Sequence, residues 1–143
     1  YQDAARHDGQ GTVMDYKTLP MQGKTFAGVE MRKQDAQGFA LRHERVVFLG
    51  QHWDYELSVP NDCCNSSTIK QIDGDLSDLV GTPLVVAESA TAKNPDAEEY
   101  GTFTFFRFRT VKGDVTIQFS GESNGYYAEE AECVKTKSKG VEL

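Results

Sequence analysis

Residues 101–137, GTFTFFRFRTVKGDVTIQFSGESNGYYAEEAECVKTK, constrain this chain more than any other part of it. Phe103, Phe105, Phe106 and Phe108 sit among Thr and Arg, residue types that suit a pleated surface. Phe106 and Phe108 fall on one face, and Phe103, Phe105, Arg107 and Arg109 on the other. Aromatics on both faces mark a strand that is central or covered twice. Lys112-Gly113 supplies a turn, with Gly113 free to take a positive φ. Val115, Ile117 and Phe119 then alternate with Asp114, Thr116, Gln118 and Ser120, the period of a strand with one wet face. Asn124-Gly125 is a hairpin signal, because both residues tolerate the left-handed conformation of a type I′ turn. Residues 126–134 are therefore expected to return as a third consecutive antiparallel strand.

Upstream, Phe26, Val29 and Met31 suggest a strand over 24–32, residues 39–49 a long second one, and Trp53, Tyr55, Leu57 and Val59 a third, the three forming a meander. Residues 62–67 read as loop, with Ile69 and Ile72 on a brief strand. Over 74–81, Asp75 caps one or two helical turns that point Leu76, Leu79 and Val80 inward, and Gly81 and Pro83 end them. Residues 84–87 form another strand, and 89–100 a polar loop. The expected fold is a single α+β domain dominated by a twisted antiparallel sheet of about six to eight strands, curled toward a barrel, with one short helix over 75–80. Residues 1–13 read as a flexible or partner-ordered arm, 14–137 as the β-rich domain and 138–143 as a tail.

A chain of 143 residues can bury roughly two-thirds of its unfolded surface in one core, so no disulfide framework is needed. Lys plus Arg total 15 against 22 Asp plus Glu, a net charge of -7 that argues against an extended nucleic-acid partner. No run of apolar residues is long enough to span a membrane as a helix. Cys63, Cys64 and Cys133 make an odd count, and adjacent cysteines close a small ring if bonded to each other. Reduced thiols and an intracellular setting are the expectation.

The acidic run from Asp73 to Asp78 fails as a calcium loop, since its sixth place is Asp78 rather than Gly and its twelfth is Leu84 rather than Glu. Cys63, Cys64, Cys133, His43 and His52 include zinc-ligand types but lack a paired local spacing, and a thiol nucleophile working with His52 has no supporting context. Neither a metal nor a cofactor is expected. Glu98/Glu99 and Glu129/Glu130 are adjacent carboxylates, which on a strand would point to opposite faces. No catalytic motif appears, and the expectation is a protein that is not an enzyme. The surface candidate is Glu122, Asn124, Tyr126 and Tyr127, where a turn presents two tyrosines suited to an interface. Arg107 and Arg109 read as a solvated strand face or as cations for a small anionic ligand or nucleotide.

Asp62-Cys63-Cys64, Ile72-Asp73-Gly74-Asp75-Leu76, Asp78-Leu79-Val80-Gly81-Thr82-Pro83-Leu84, Val111-Lys112-Gly113 and Gly121-Glu122-Ser123-Asn124-Gly125-Tyr126-Tyr127 occur in an order that resembles a family of small tailed-phage and prophage proteins. The resemblance covers residues 53–134 and transfers no catalytic residue. It implies a phage-type accessory protein that binds a host or phage protein in the host cytoplasm. The alternative is a structural component of the virion, held in an assembly by the arm and a sheet edge.

Overall fold

The computed structural model describes residues 5–7 and 13–138. In chain order its strands are β1 (Ala5–His7), β2 (Val13–Asp15), β3 (Lys17–Thr18), β4 (Gly28–Gln34), β5 (Ala40–Leu49), β6 (Trp53–Ser58), β7 (Asn65–Asp73), β8 (Val86–Lys93), β9 (Tyr100–Thr110), β10 (Gly113–Ser123) and β11 (Glu132–Lys137). Nine of them make one sheet in the order β11-β6-β5-β7-β10-β9-β8-β3, with β4 also paired to β5. β1 and β2 form a separate two-stranded ladder, with Ala5 opposite Asp15. The rest of the expected arm and all but Ser138 of the expected tail lie outside the described residues.

β5 belongs to two groups of strands. It pairs antiparallel with β4 and β6, which completes the expected meander, but it meets β7 in parallel through a single bridge, His43 to Ser67. That weak seam lets β4, β5, β6 and β11 fold over β7, β10, β9 and β8, and the sheet curls into an open half-barrel. A bulge helps the bend: Gln118 faces Gln71 and Phe119 faces Ile69, so Lys70 is the extra residue of β7.

The inner face holds the core. Val46, Phe48, Tyr55 and Leu57 come from one group of strands, and Ile69, Phe106, Phe108, Val115, Ile117 and Phe119 from the other. Phe48 reaches across to Phe108 with ring centroids 5.0 Å apart, and Phe106 meets Phe119 edge to face at 5.6 Å. Each such ring contributes about 1.5–3 kcal/mol through its burial. The outer face of β9 is covered as its two-sided pattern implies. Phe105 packs on Met14, Tyr16 and Ala90, and Lys70 Nζ sits 4.4 Å from the Phe103 ring centroid.

Several expectations need correction. The fold is largely β rather than α+β: the segment read as a helix is a four-residue 3-10 turn, Leu76–Leu79. Its cap is as expected, with the Asp75 side chain accepting from Ser77 N, but Val80 already has extended φ/ψ and Gly81 follows. The β9–β10 turn is Val111-Lys112, Gly113 pairs with Thr110 inside the ladder, and Gly113 does not adopt a positive φ. β7 spans nine residues instead of a brief stretch, because its inward positions Asn65 and Ser67 are polar yet buried. β8 runs on to Lys93, through the first five residues of the segment expected as loop.

The third C-terminal strand does not pair with β10 at all. β11 lies against β6, with Cys133 opposite Leu57. Residues 124–131 instead cross the inner face, and a Cβ on Gly121 would stand only 2.0 Å from the carbonyl oxygen of Glu129. Glycine is required there for close approach rather than for its dihedral angles. The crossing is tied down by Ala131 N donating to Thr104 Oγ1 at 2.9 Å and by Asn65 Nδ2 donating to Ala128 O at 2.9 Å. Among the described residues no helix is long and apolar enough to cross a membrane.

Candidate functional site

Three separate loops meet at one rim of the half-barrel. The β6–β7 turn brings Cys63 and Cys64, the β8–β9 loop brings Glu98 and Glu99, and the end of β10 brings Glu122, Ser123 and Asn124. With Arg42, Asn65 and Ser66 they line a cleft of about 440 Å³. Cys63 and Cys64, expected as thiols, are joined to each other as a vicinal disulfide across a trans peptide, with Cα atoms 3.8 Å apart. The turn they occupy accommodates the small ring that sequence adjacency alone argued against.

Among the described residues Arg42 is the one cation in this lining, and its guanidinium is engaged. It donates to the carbonyl of Cys63 at 3.1 Å, and also to Asn61 Oδ1 and Asp62 O. What remains facing the cleft is carboxylate: Glu98, Glu99 and Glu122 are all exposed. Glu98 and Glu99 lie in a loop rather than on a strand, so the expectation that they diverge is corrected; both reach the same cleft.

Beneath the rim, Asn65 is a hub. Its Nδ2 donates to Pro60 O and Ala128 O, both at 2.9 Å, which assigns Oδ1 as the acceptor of Asp62 N and of the His43 ring. His43 Nε2–H therefore donates to Asn65 Oδ1 at 3.0 Å, leaving Nδ1 to accept from Ser67 Oγ at 2.8 Å. Serine, histidine and asparagine in a row have the outline of an acyl-transfer triad. Ser67 is only 2% exposed on the inner face, so no substrate reaches it, and the row is a brace across the β5–β7 seam. Burial, with Arg42 adding its charge, holds the His43 imidazole below its usual range despite the Asn65 hydrogen bond. Glu44 braces the same seam by accepting from Ile69 N at 2.7 Å.

The predicted surface residues are divided by this geometry. Glu122 and Asn124 line the cleft, and Tyr126, 90% exposed, projects from the turn that follows. Asn124 Oδ1 accepts from Tyr126 N, Ser123 Oγ accepts from Gly125 N, and Glu129 accepts from both Thr102 and Ser123, so the turn is internally held. The exposed ring of Tyr100 lies against Gly125. Tyr127 is half-buried.

Arg107 and Arg109 are elsewhere, on the outer face of β9. Arg109 grips Asp114 through Nε at 2.7 Å and a second nitrogen at 3.2 Å, holding that carboxyl below its usual range. Arg107 stands 5.8 Å from the Tyr16 ring centroid, and the void between the two arginines is about 10 Å³, room for one water at most. The residues weighed as zinc ligands are dispersed: His43 is in the brace, His52 is beyond the far end of β6, and the half-buried Cys133 lies 3.6 Å from Met21 Sδ, its thiol pushed up to about 11 by burial.

Sequence reading did not foresee Arg42, Asn65, Glu98 or Glu99 as parts of one site. The tandem cysteines beside an Asp were the nearest signal. Comparison with curated proteins and with solved structures gives no match. A family model described as a domain of unknown function, DUF7448, does match, over residues 20–133. That span runs from Pro20 through the whole cleft to Cys133 on β11, and the protein belongs to the DUF7448 family.

Proposed function

We propose that this is a non-catalytic, phage-type accessory protein that grips a Lys- or Arg-bearing segment of a partner protein in the cleft beside the Cys63–Cys64 disulfide. The observation that carries this reading is convergence. Two stretches far apart in the chain place Glu98, Glu99 and Glu122 around one cleft whose one cation among the described residues, Arg42, is occupied by Asn61, Asp62 and Cys63. Desolvated basic side chains are attracted by such a wall, and rim carboxylates chiefly speed the encounter and set its salt dependence. Tyr126 supplies the rigid amphipathic anchor next to that wall.

The test is a photo-crosslinking amino acid at Tyr126, with Val111 as the control. Val111 is 83% exposed at the turn beyond the other end of β9. The expected result is a partner captured from position 126 and not from 111, attached through a basic peptide, with lower yield when Glu98, Glu99 and Glu122 are all changed to Gln. Equal capture from both positions, or a yield indifferent to the triple change, would sink the reading.

A further inference from the structure

A second pocket, of about 220 Å³, opens beyond the other end of β6 and is lined by Lys24, Thr25, Phe26, the Gly50-Gln51-His52 turn, Trp53 and Tyr55. Its floor is aromatic. Tyr55 meets Phe26 edge to face at 5.7 Å, and both rings are almost fully buried. Trp53 lies on the same face of β6 as Tyr55 and is 44% exposed at the mouth, with Lys135 Nζ 4.1 Å from its ring centroid.

The turn that forms one wall is fixed in place. Gly50 N donates to Asp54 Oδ1 at 3.0 Å, Ser138 N donates to His52 O at 3.0 Å, and Ser138 Oγ donates to Gly50 O at 2.6 Å. A pocket whose walls are held in this way needs little ordering when a ligand enters.

Two features of the lining point to a ligand. Tyr55 is only 2% exposed as a residue and among the described residues nothing accepts from or donates to its hydroxyl, but that oxygen is not sealed from solvent. A phenol hydroxyl that the fold leaves to solvent at a pocket wall can exchange water for an acceptor that a ligand brings. Burial, with Cys133 nearby, raises the phenol above its usual 10.0, so at neutral pH the group is a donor. Second, in a chain of net charge -7 the lining has no carboxylate among the described residues; its charged side chain is Lys24, and Lys135 stands over the Trp53 ring.

We propose that this pocket binds a small planar aromatic carboxylate of one or two rings. The ring enters beside Trp53 and over Phe26, and the carboxylate accepts from the Tyr55 hydroxyl and neutralises Lys24 and Lys135. This site is separate from the acidic cleft, and neither reading depends on the other.

Trp53 is the sole tryptophan of the chain, so its fluorescence reports occupancy directly. Titration with benzoate is expected to give a saturable change with a Kd on the order of 1 mM, as befits a ligand of so few atoms. Benzamide, which keeps the ring and lacks the charge, and acetate, which keeps the charge and lacks the ring, should each bind at least about fivefold more weakly. Tyr55→Phe should bind benzoate about five- to tenfold more weakly while melting no lower than the parent without ligand, because the hydroxyl it removes has no partner among the described residues. Lys24→Gln combined with Lys135→Gln should weaken benzoate and leave benzamide unchanged. The proposal is overturned by an unchanging Trp53 signal, by equal binding of all three probes, or by a Tyr55→Phe chain that binds benzoate as well as the parent.

Discussion

The imidazole of His43 on β5 and the side-chain amide of Asn65 at the head of β7 are joined by a 3.0 Å hydrogen bond across a seam where the backbone provides one bridge. Side chains therefore hold the two groups of strands together at this end. Asn65→Ala would leave the carbonyls of Pro60 and Ala128, the amide of Asp62 and the His43 ring without this partner. Water can reach the exposed ends of this set but not the buried ones. The expected loss is about 2–3 kcal/mol, measured by urea unfolding, which is large for one polar side chain.

The same bond has a pH signature. Burial and Arg42 hold His43 below its usual 6.5 in the folded chain. The unfolded chain thus takes up a proton near that pH while the folded chain resists it. The stability contributed by the neutral ring is whole above pH 6.5, declines as pH falls through the interval down to the folded value, and loses nothing further below it. Asp75 and Asp114, whose carboxyls are held below their usual 3.8 by hydrogen bonds from Ser77 and Arg109, titrate below the pH range measured. Unfolding measured at several pH values between about 7.5 and 5.5 should show a decline in the parent that His43→Gln lacks. Parallel curves for the two chains would remove His43 as the cause.

Legibility in the sequence followed the apolar alternation. β9 and β10 are plain because Phe106, Phe108, Val115, Ile117 and Phe119 all point inward at a period of two. β7 is obscure because its first inward residues, Asn65 and Ser67, are buried for hydrogen bonding and not for hydrophobicity. Likewise Ser89 and Lys93 of β8 share the inner-face register of Phe106 and Thr102, which hides a strand among polar letters. Asn124-Gly125 does make a turn, but the pairing partner of β11 depends on whether the next residues can pass over β10. They pass because position 121 is glycine, a tertiary fact with no local signal. The cleft was illegible for the same reason, since its acids lie on loops whose neighbours are set by the curl of the sheet.

Gly121 makes that crossing testable. Gly121→Ala sets a methyl carbon against the Glu129 carbonyl, which is backbone and cannot swing aside. The crossing segment must lift, and with it the hydrogen bonds of Ala128, Glu129 and Ala131. The cost should be about 3 kcal/mol or more. Gly38→Ala is the comparison: its φ of +88° penalises a side chain, but nothing lies within 4 Å of the new methyl, and roughly 1 kcal/mol is expected. Denaturant midpoints of the two variants should differ accordingly, and equal midpoints would mean the crossing is not as close as described.

The three cysteines should separate by reactivity. Reducing the Cys63–Cys64 bond opens a ring between adjacent residues, and the loop-closure relation assigns so short a loop only about 1 kcal/mol. The reduced protein therefore stays folded. Cys63 and Cys64 are exposed and should then alkylate promptly at neutral pH. Cys133 has its thiol raised to about 11 by burial, so at pH 7.5 roughly one molecule in three thousand carries the thiolate. Mass spectrometry after mild reduction and a short maleimide pulse should find two adducts on the native chain and the third only in denaturant. Omitting the reductant should leave the native chain unlabelled. Rapid labelling at Cys133, or at Cys63 and Cys64 without reductant, would contradict the burial of the first or the bond between the others.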